Sequence, residues 1–194
     1  MRRTVLMLTV MAVVLVMASG VALAVARSGG PGNDILRGTD GPDALEGNGG
    51  NDVLLGYKGT DALYGGKGRD AVLGGDERGP RAGDKALEGG PGGDVVIGGY
   101  GTEAVSGGRG RDLVVDGPRP DEDQDALAGG DGRDVVDAFN GPASTDAIDC
   151  GRGFDKVLVD SKDVTENCEK VFTNGRKFES SIPNYYFESL RRIP

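Results

Sequence analysis

Gly47-Asn48-Gly49-Gly50-Asn51-Asp52-Val53-Leu54-Leu55-Gly56-Tyr57-Lys58-Gly59-Thr60-Asp61-Ala62-Leu63-Tyr64-Gly65-Gly66-Lys67-Gly68-Arg69-Asp70-Ala71-Val72-Leu73 decides the fold of this chain. Asp52, Asp61 and Asp70 stand nine residues apart, and two positions after each comes an aliphatic side chain: Leu54, Leu63, Val72. The register extends back to Asp34 and Asp43. Forward, after an insertion, it resumes at position 85, then Asp94, Glu103 and Asp112, again at Asp125 and Asp134, and finally at Asp146 and Asp155. The second residue after each of these thirteen positions is aliphatic every time, through Leu36, Leu45, Leu87, Val96, Val105, Val114, Leu127, Val136, Ile148 and Val157. A fixed period of this kind marks a solenoid, in which each repeat buries its one apolar side chain only by stacking on its neighbours.

Composition agrees with a backbone-dense repeat. Gly supplies 36 of 194 residues, against an ordinary share of roughly 7%, without a collagen-like triplet. There is no histidine, which removes His-ligated metal and haem sites, zinc-protease helices and His-dependent hydrolase triads. Lys and Arg number 22 against 31 Asp and Glu, a net charge of −9 that repels nucleic acid and anionic membrane.

The fullest copies of the repeat are Gly29-Gly30-Pro31-Gly32-Asn33-Asp34, Gly65-Gly66-Lys67-Gly68-Arg69-Asp70, Gly89-Gly90-Pro91-Gly92-Gly93-Asp94, Gly107-Gly108-Arg109-Gly110-Arg111-Asp112 and Gly129-Gly130-Asp131-Gly132-Arg133-Asp134. This pattern, G-G-x-G-x-D-x-U-x with U aliphatic, resembles the nonapeptide repeat of RTX (haemolysin-type calcium-binding) proteins, over roughly residues 29–159. The resemblance implies an all-β parallel β-roll: a two-sheet solenoid with six-residue turns, three-residue strands and 18 residues per coil. It also implies Ca²⁺ between stacked turns, held by glycine carbonyls and the Asp carboxylates of two successive coils, a hard-oxygen set suited to calcium. The competing reading is that these Asp only shape their own turns.

With eighteen residues per coil, the repeats sort onto two edges. Edge A holds Asp34, Asp52, Asp70, Asp94, Asp112, Asp134 and Asp155; edge B holds Asp43, Asp61, position 85, Glu103, Asp125 and Asp146. Edge A keeps the motif, whereas edge B is degraded and takes all three insertions (74–84, 117–124, 138–145). About six ions are therefore expected along edge A, with Asp43 and Asp61 the best remaining pair on edge B. The outer strand positions differ too. Before the aliphatic residue, set B reads Ala44, Ala62, Ala86, Ala104, Ala126 and Ala147; set A reads Ile35, Val53, Ala71, Val95, Leu113, Val135 and Lys156. One outer face is small and the other is an apolar stripe, open to two readings: cover by the tail Ile182–Ile193, or a partner surface.

At the start, Arg2 and Arg3 precede an apolar run and Ala22-Leu23-Ala24, which reads as a signal peptide over 1–24, cut after Ala24 or Ala26. The uncharged stretch Thr4–Ala26 also admits an uncleaved anchor with the roll facing outside. Cleavage leaves twenty bases against thirty-one acids, a charge of −11. Cys150 and Cys168, an even pair in an exported chain, are expected to form a disulfide that closes a C-terminal cap and tail over 160–194.

The functional expectation is a secreted, monomeric, non-catalytic calcium-binding module that folds on taking up Ca²⁺. No nucleic acid is expected as partner, nor membrane insertion once the leader is removed. The alternative is an adhesion module that binds a surface glycan or protein through the apolar outer face, with calcium purely structural. An enzyme is the least supported class: Asp121 and Asp123 pair two carboxylates, but no nucleophile with its base stands beside them.

Overall fold

In the computed structural model, the described residues are 24–75, 86–118, 123–141 and 144–173. The leader, most of the first insertion with Asp84 and Lys85, Asp121, and the tail beyond 173 lie outside them. Sixteen short strands form the described chain, and all of its sheet pairings are parallel.

They run β1 (Ala26–Ser28), β2 (Ile35–Arg37), β3 (Ala44–Gly49), β4 (Val53–Tyr57), β5 (Ala62–Lys67), β6 (Ala71–Gly75), β7 (Ala86–Gly92) and β8 (Val95–Ile97). The second half is β9 (Ala104–Gly110), β10 (Leu113–Val115), β11 (Ala126–Gly132), β12 (Val135–Asp137), β13 (Ala147–Gly153), β14 (Lys156–Leu158), β15 (Val164–Glu166) and β16 (Lys170–Phe172). Odd strands make one eight-stranded sheet and even strands the other, each in sequence order. The expected two-sheet roll is therefore the fold.

The register is the one the period demands. Ala44 lies beside Ala62 and Leu54 beside Val72, each pair eighteen residues apart. Where an insertion intervenes the partners keep their places, as Val72 beside Val96 and Val114 beside Val136. The rungs on either side of each insertion thus stay in register, because a one-residue slip would turn the aliphatic side chain outward.

Between the sheets the core is a double column. Leu45, Leu63, Leu87, Val105, Leu127 and Ile148 enter from odd strands, Leu54, Val72, Val96, Val114, Val136 and Val157 from even ones, and all are buried. Several strands on the odd side are longer than the three residues expected, because they continue through the glycines of the following turn. There Gly130 and Gly132 pair with Gly108 and Gly110, and the turns stack backbone on backbone.

Gly68 shows why those positions admit nothing larger. Its φ is +141°, and a Cβ would stand 1.5 Å from the carbonyl oxygen of Gly50 one coil below.

The expected disulfide is present. Cys150 in β13 is bonded to Cys168, between β15 and β16, with Cα atoms 5.1 Å apart. It ties the last two strands, which add one further rung to both sheets, to the end of the repeat stretch.

Candidate metal centre

Every edge-A turn ends in an Asp whose side chain folds back beneath the glycines, and its two oxygens do different things. Oδ1 accepts the backbone N–H of the Asp one coil earlier: Asp34 N–H donates to Asp52, Asp52 to Asp70, Asp70 to Asp94 and Asp94 to Asp112, each at 2.8 Å. Asp112 donates to Asp134 at 2.9 Å and Asp134 to Asp155 at 2.7 Å. At the end of the column Asp155 N–H donates to Glu169 Oε2, so a longer acid from the cap takes the place of the next repeat.

The second oxygens are left over. Oδ2 of Asp52, Asp70, Asp94, Asp112, Asp134 and Asp155 are all buried and accept no hydrogen bond. A buried carboxylate oxygen without a partner is costly and needs an explanation. Asp34, in the first turn, differs: its Oδ2 accepts the N–H of Gly30 at 2.7 Å.

What these oxygens face is equally regular. In every turn from Asp52 to Asp134 the first glycine leaves open the space where a side chain would begin, and two oxygens converge on it; in the last turn Cys150 takes that place. A Cβ on Gly47 would meet Gly65 O at 2.3 Å and Asp52 Oδ2 at 2.4 Å; one on Gly65 would meet Gly89 O and Asp70 Oδ2 at 2.6 and 2.8 Å. Gly89, Gly107 and Gly129 repeat the arrangement with Asp94, Asp112 and Asp134, the last against the carbonyl of Cys150. Carboxylate and carbonyl oxygens from successive coils thus crowd together without a hydrogen between them. Such a set fits a cation that takes six to eight oxygens in a flexible shell.

The electrostatics point the same way. Burial pushes the Asp94 carboxyl up to about 8, helped by the neighbouring Asp112 and Asp70 and opposed by the Asp70 N–H and by Arg69. Burial likewise raises Asp70 and Asp112 to about 6 and Asp134 to about 7, and lifts Asp52 and Asp155. In each case the hydrogen bond to Oδ1 pulls the other way and is outweighed.

Edge B is less uniform. Asp43 and Asp61 keep the ladder, Asp43 N–H donating to Asp61 Oδ1 at 2.7 Å, and Gly38 and Gly56 leave the same open cradle beside them. Thr39 donates to Asp43 from its own turn through both backbone N–H and Oγ1, so Asp43 is also satisfied locally.

Further along this edge Glu103, Asp116 and Asp125 are buried with ligand-capable oxygens within 4.8 Å of one another. Next to them Asn140 donates through Nδ2 to Asp116 at 2.7 Å and to Asp146 at 2.9 Å. Asp116 stands where the repeat has a glycine, so the nine-residue register gave no signal for it. Only the topology, which keeps Asp125 on its rung across the insertion that follows Asp116, brings it beside Glu103 and Asp125.

A family model for the RTX calcium-binding nonapeptide repeat matches residues 28–63, 46–78 and 83–114. The chain carries RTX calcium-binding nonapeptide repeats. These repeats imply calcium binding in a β-roll, and the buried aspartates fit it. A search of curated proteins found no match to the chain. Past the matched stretch the RTX register continues in the turns that end at Asp134 and Asp155, with the same Oδ1 ladder and the same unsatisfied Oδ2.

Proposed function

We propose that this protein is an exported, non-catalytic β-roll that folds when Ca²⁺ occupies edge A. The observation that carries the proposal is the column of six buried carboxylate oxygens, on Asp52, Asp70, Asp94, Asp112, Asp134 and Asp155, that accept no hydrogen bond. Together with Asp34 these residues are the proposed edge-A ligands, with glycine carbonyls of the adjoining coils. On edge B the first candidates are Asp43 and Asp61. Bound between coils, Ca²⁺ would supply the positive charge that these carboxylates lack.

The residues then account for calcium-dependent folding. One aliphatic side chain per nine residues returns about 1.5–3 kcal/mol on burial, against roughly 9–18 kcal/mol of backbone entropy. Backbone hydrogen bonds offset part of that, but the buried acids work against it, so metal affinity becomes folding energy. At extracellular sites of this kind affinities of about 10⁻⁴–10⁻³ M are usual. That range keeps the chain unfolded before export and folded after it. The disulfide is consistent with an oxidising destination.

The alternative, an adhesion module with purely structural calcium, needs an open outer face. The apolar face is buried over its C-terminal half. What stays accessible is the N-terminal part of that face and a trough on the odd-strand sheet, floored by Ala86, Ala104, Ala126 and Ala147 and edged by Glu88 and Asp149.

Titrating Ca²⁺ into residues 27–194, with the disulfide formed, tests the proposal by far-UV circular dichroism and calorimetry. A coil-to-β transition with about six ions, lost when Asp70 and Asp94 become Ala, is expected. An unchanged β signal in chelator would show that the aspartates only shape turns.

A further inference from the structure

The outward positions of the even-strand sheet form two columns, one on each side of the inward aliphatic. Same-sheet neighbours about 4.8 Å away shield only the flanks of an outward side chain. For such a residue to be dry, a second layer must lie over it. Burial on this face is graded along the roll. Ile35 in β2 is 53% exposed and Val53 in β4 is partly exposed, but Val95, Leu113, Val135 and Leu158 are only 2–6% exposed. The apolar neighbours of this patch among the described residues are Ile97 and Val115 from the same sheet, Phe172 beside Leu158, and Phe139 past the end of β12. None of them is a layer that spans it.

The rest of the chain narrows the choice. Stretches 76–85, 119–122 and 142–143 hold no aromatic and no aliphatic larger than alanine. The apolar leader precedes β1, at the end of the roll where Ile35 is open. Residues 174–194 follow β16, which borders β14 on this same sheet. They carry Ile182, Tyr186, Leu190 and Ile193 at intervals of four, four and three, a spacing that sets all four on one side of a helical turn pattern. From β16 to β8 is four rungs, about 19 Å. Twenty-one residues cover about 30 Å even when coiled as a helix.

We infer that residues 174–194 dock across the outer face of the even-strand sheet, over Val95, Leu113, Val135 and Leu158, as a built-in cover for the C-terminal half of the roll. The cover leaves the N-terminal half of the stripe, from Ile35 to Leu73, as the open part.

Limited trypsin digestion of the calcium-loaded full chain, followed by mass spectrometry, reads this directly, because Arg191 and Arg192 lie between two of the anchoring side chains. Leu113→Asp on the face and Leu190→Asp on the tail are each expected to speed cleavage there about tenfold or more, the population shift from losing one buried leucine. The double variant is expected to add nothing further, since both changes break one contact. Val53→Asp, on the open half, is expected to leave the rate unchanged, and all variants to keep the circular dichroism of the roll. Equal cleavage rates in the parent and in Leu190→Asp would overturn the inference. So would a dimer by light scattering that Leu113→Asp splits, which would assign the face to a second copy.

Discussion

Replacing Asp94 by Asn separates the two roles of the edge-A carboxylates, because the substitution keeps one oxygen and removes the charge. Asn retains an acceptor for the Asp70 N–H, now 2.8 Å from Oδ1. Its amide can then donate toward the carbonyl of Gly107, where Oδ2 and that oxygen now converge beside Gly89. With its carboxyl pushed up to about 8 from an ordinary 3.8, Asp94 in a metal-free roll at pH 7 has to take up a proton that it would not hold in the unfolded chain. That uptake spans about three pH units, at about 1.4 kcal/mol for each, so the buried acid costs the metal-free fold up to about 4 kcal/mol.

Asp94→Asn is therefore expected to stabilise the roll in chelator and to weaken it in calcium. Folding in chelator can be followed by far-UV circular dichroism during titration with an excluded osmolyte such as TMAO, which favours burial. The variant is expected to fold at lower osmolyte than the parent. In calcium, loss of a charged ligand is expected to raise the half-saturating concentration about tenfold or more. A loss of stability of similar size in both conditions would refute the reasoning, since it would make Asp94 a turn former whose charge is incidental.

Other consequences follow from the same geometry. The acids at 70, 94, 112 and 134 have folded-state values of about 6 to 8, above the ordinary 3.8. A group raised on folding contributes stability that is fully present below its unfolded value and is lost as pH rises through its folded value. In chelator, β structure is therefore expected to grow as pH falls from 8 towards 4, and circular dichroism showing the reverse would contradict it. Gly68→Ala places a methyl against the Gly50 carbonyl at positive φ, whereas Gly32 has open space around its Cβ position. The first is expected to cost about 3 kcal/mol or more in calcium-dependent stability and Gly32→Ala less than about 1 kcal/mol, by denaturant melts at fixed calcium. Reducing Cys150–Cys168, which closes a loop of separation 18, is expected to cost about 3 kcal/mol and raise the calcium midpoint.

Much of this architecture is legible in the sequence because a solenoid repeats its instructions. The aliphatic residue two places after each acid gives the core directly. The alternation of alanine with larger residues before it separates the two outer faces. What the period could not show is where each carboxylate goes. Nothing in G-G-x-G-x-D says that Oδ1 is committed to the previous coil's N–H while Oδ2 is left over, since that follows from the stacking distance.

The register is also silent where spacing departs from nine. Glu169 continues the edge-A column at a separation of 14 from Asp155, and Asp163 accepts the Asp146 N–H at a separation of 17. Asp116 is invisible for a related reason: it stands at a glycine position, and Asp125 lies beyond the insertion that follows it. The odd strands run longer than the three residues the motif implies, since glycine's low strand propensity on its own hides their continuation through the turn. Stacked on identical glycines it completes a ladder at no steric cost.

The most direct test of calcium binding along edge A is an anomalous-difference map from crystals of residues 27–194 grown with calcium and exchanged into a lanthanide. Peaks between successive edge-A aspartates from Asp34 to Asp155, each within bonding distance of an Oδ2, are the expected result. A map with those positions empty while the roll is intact would contradict the account.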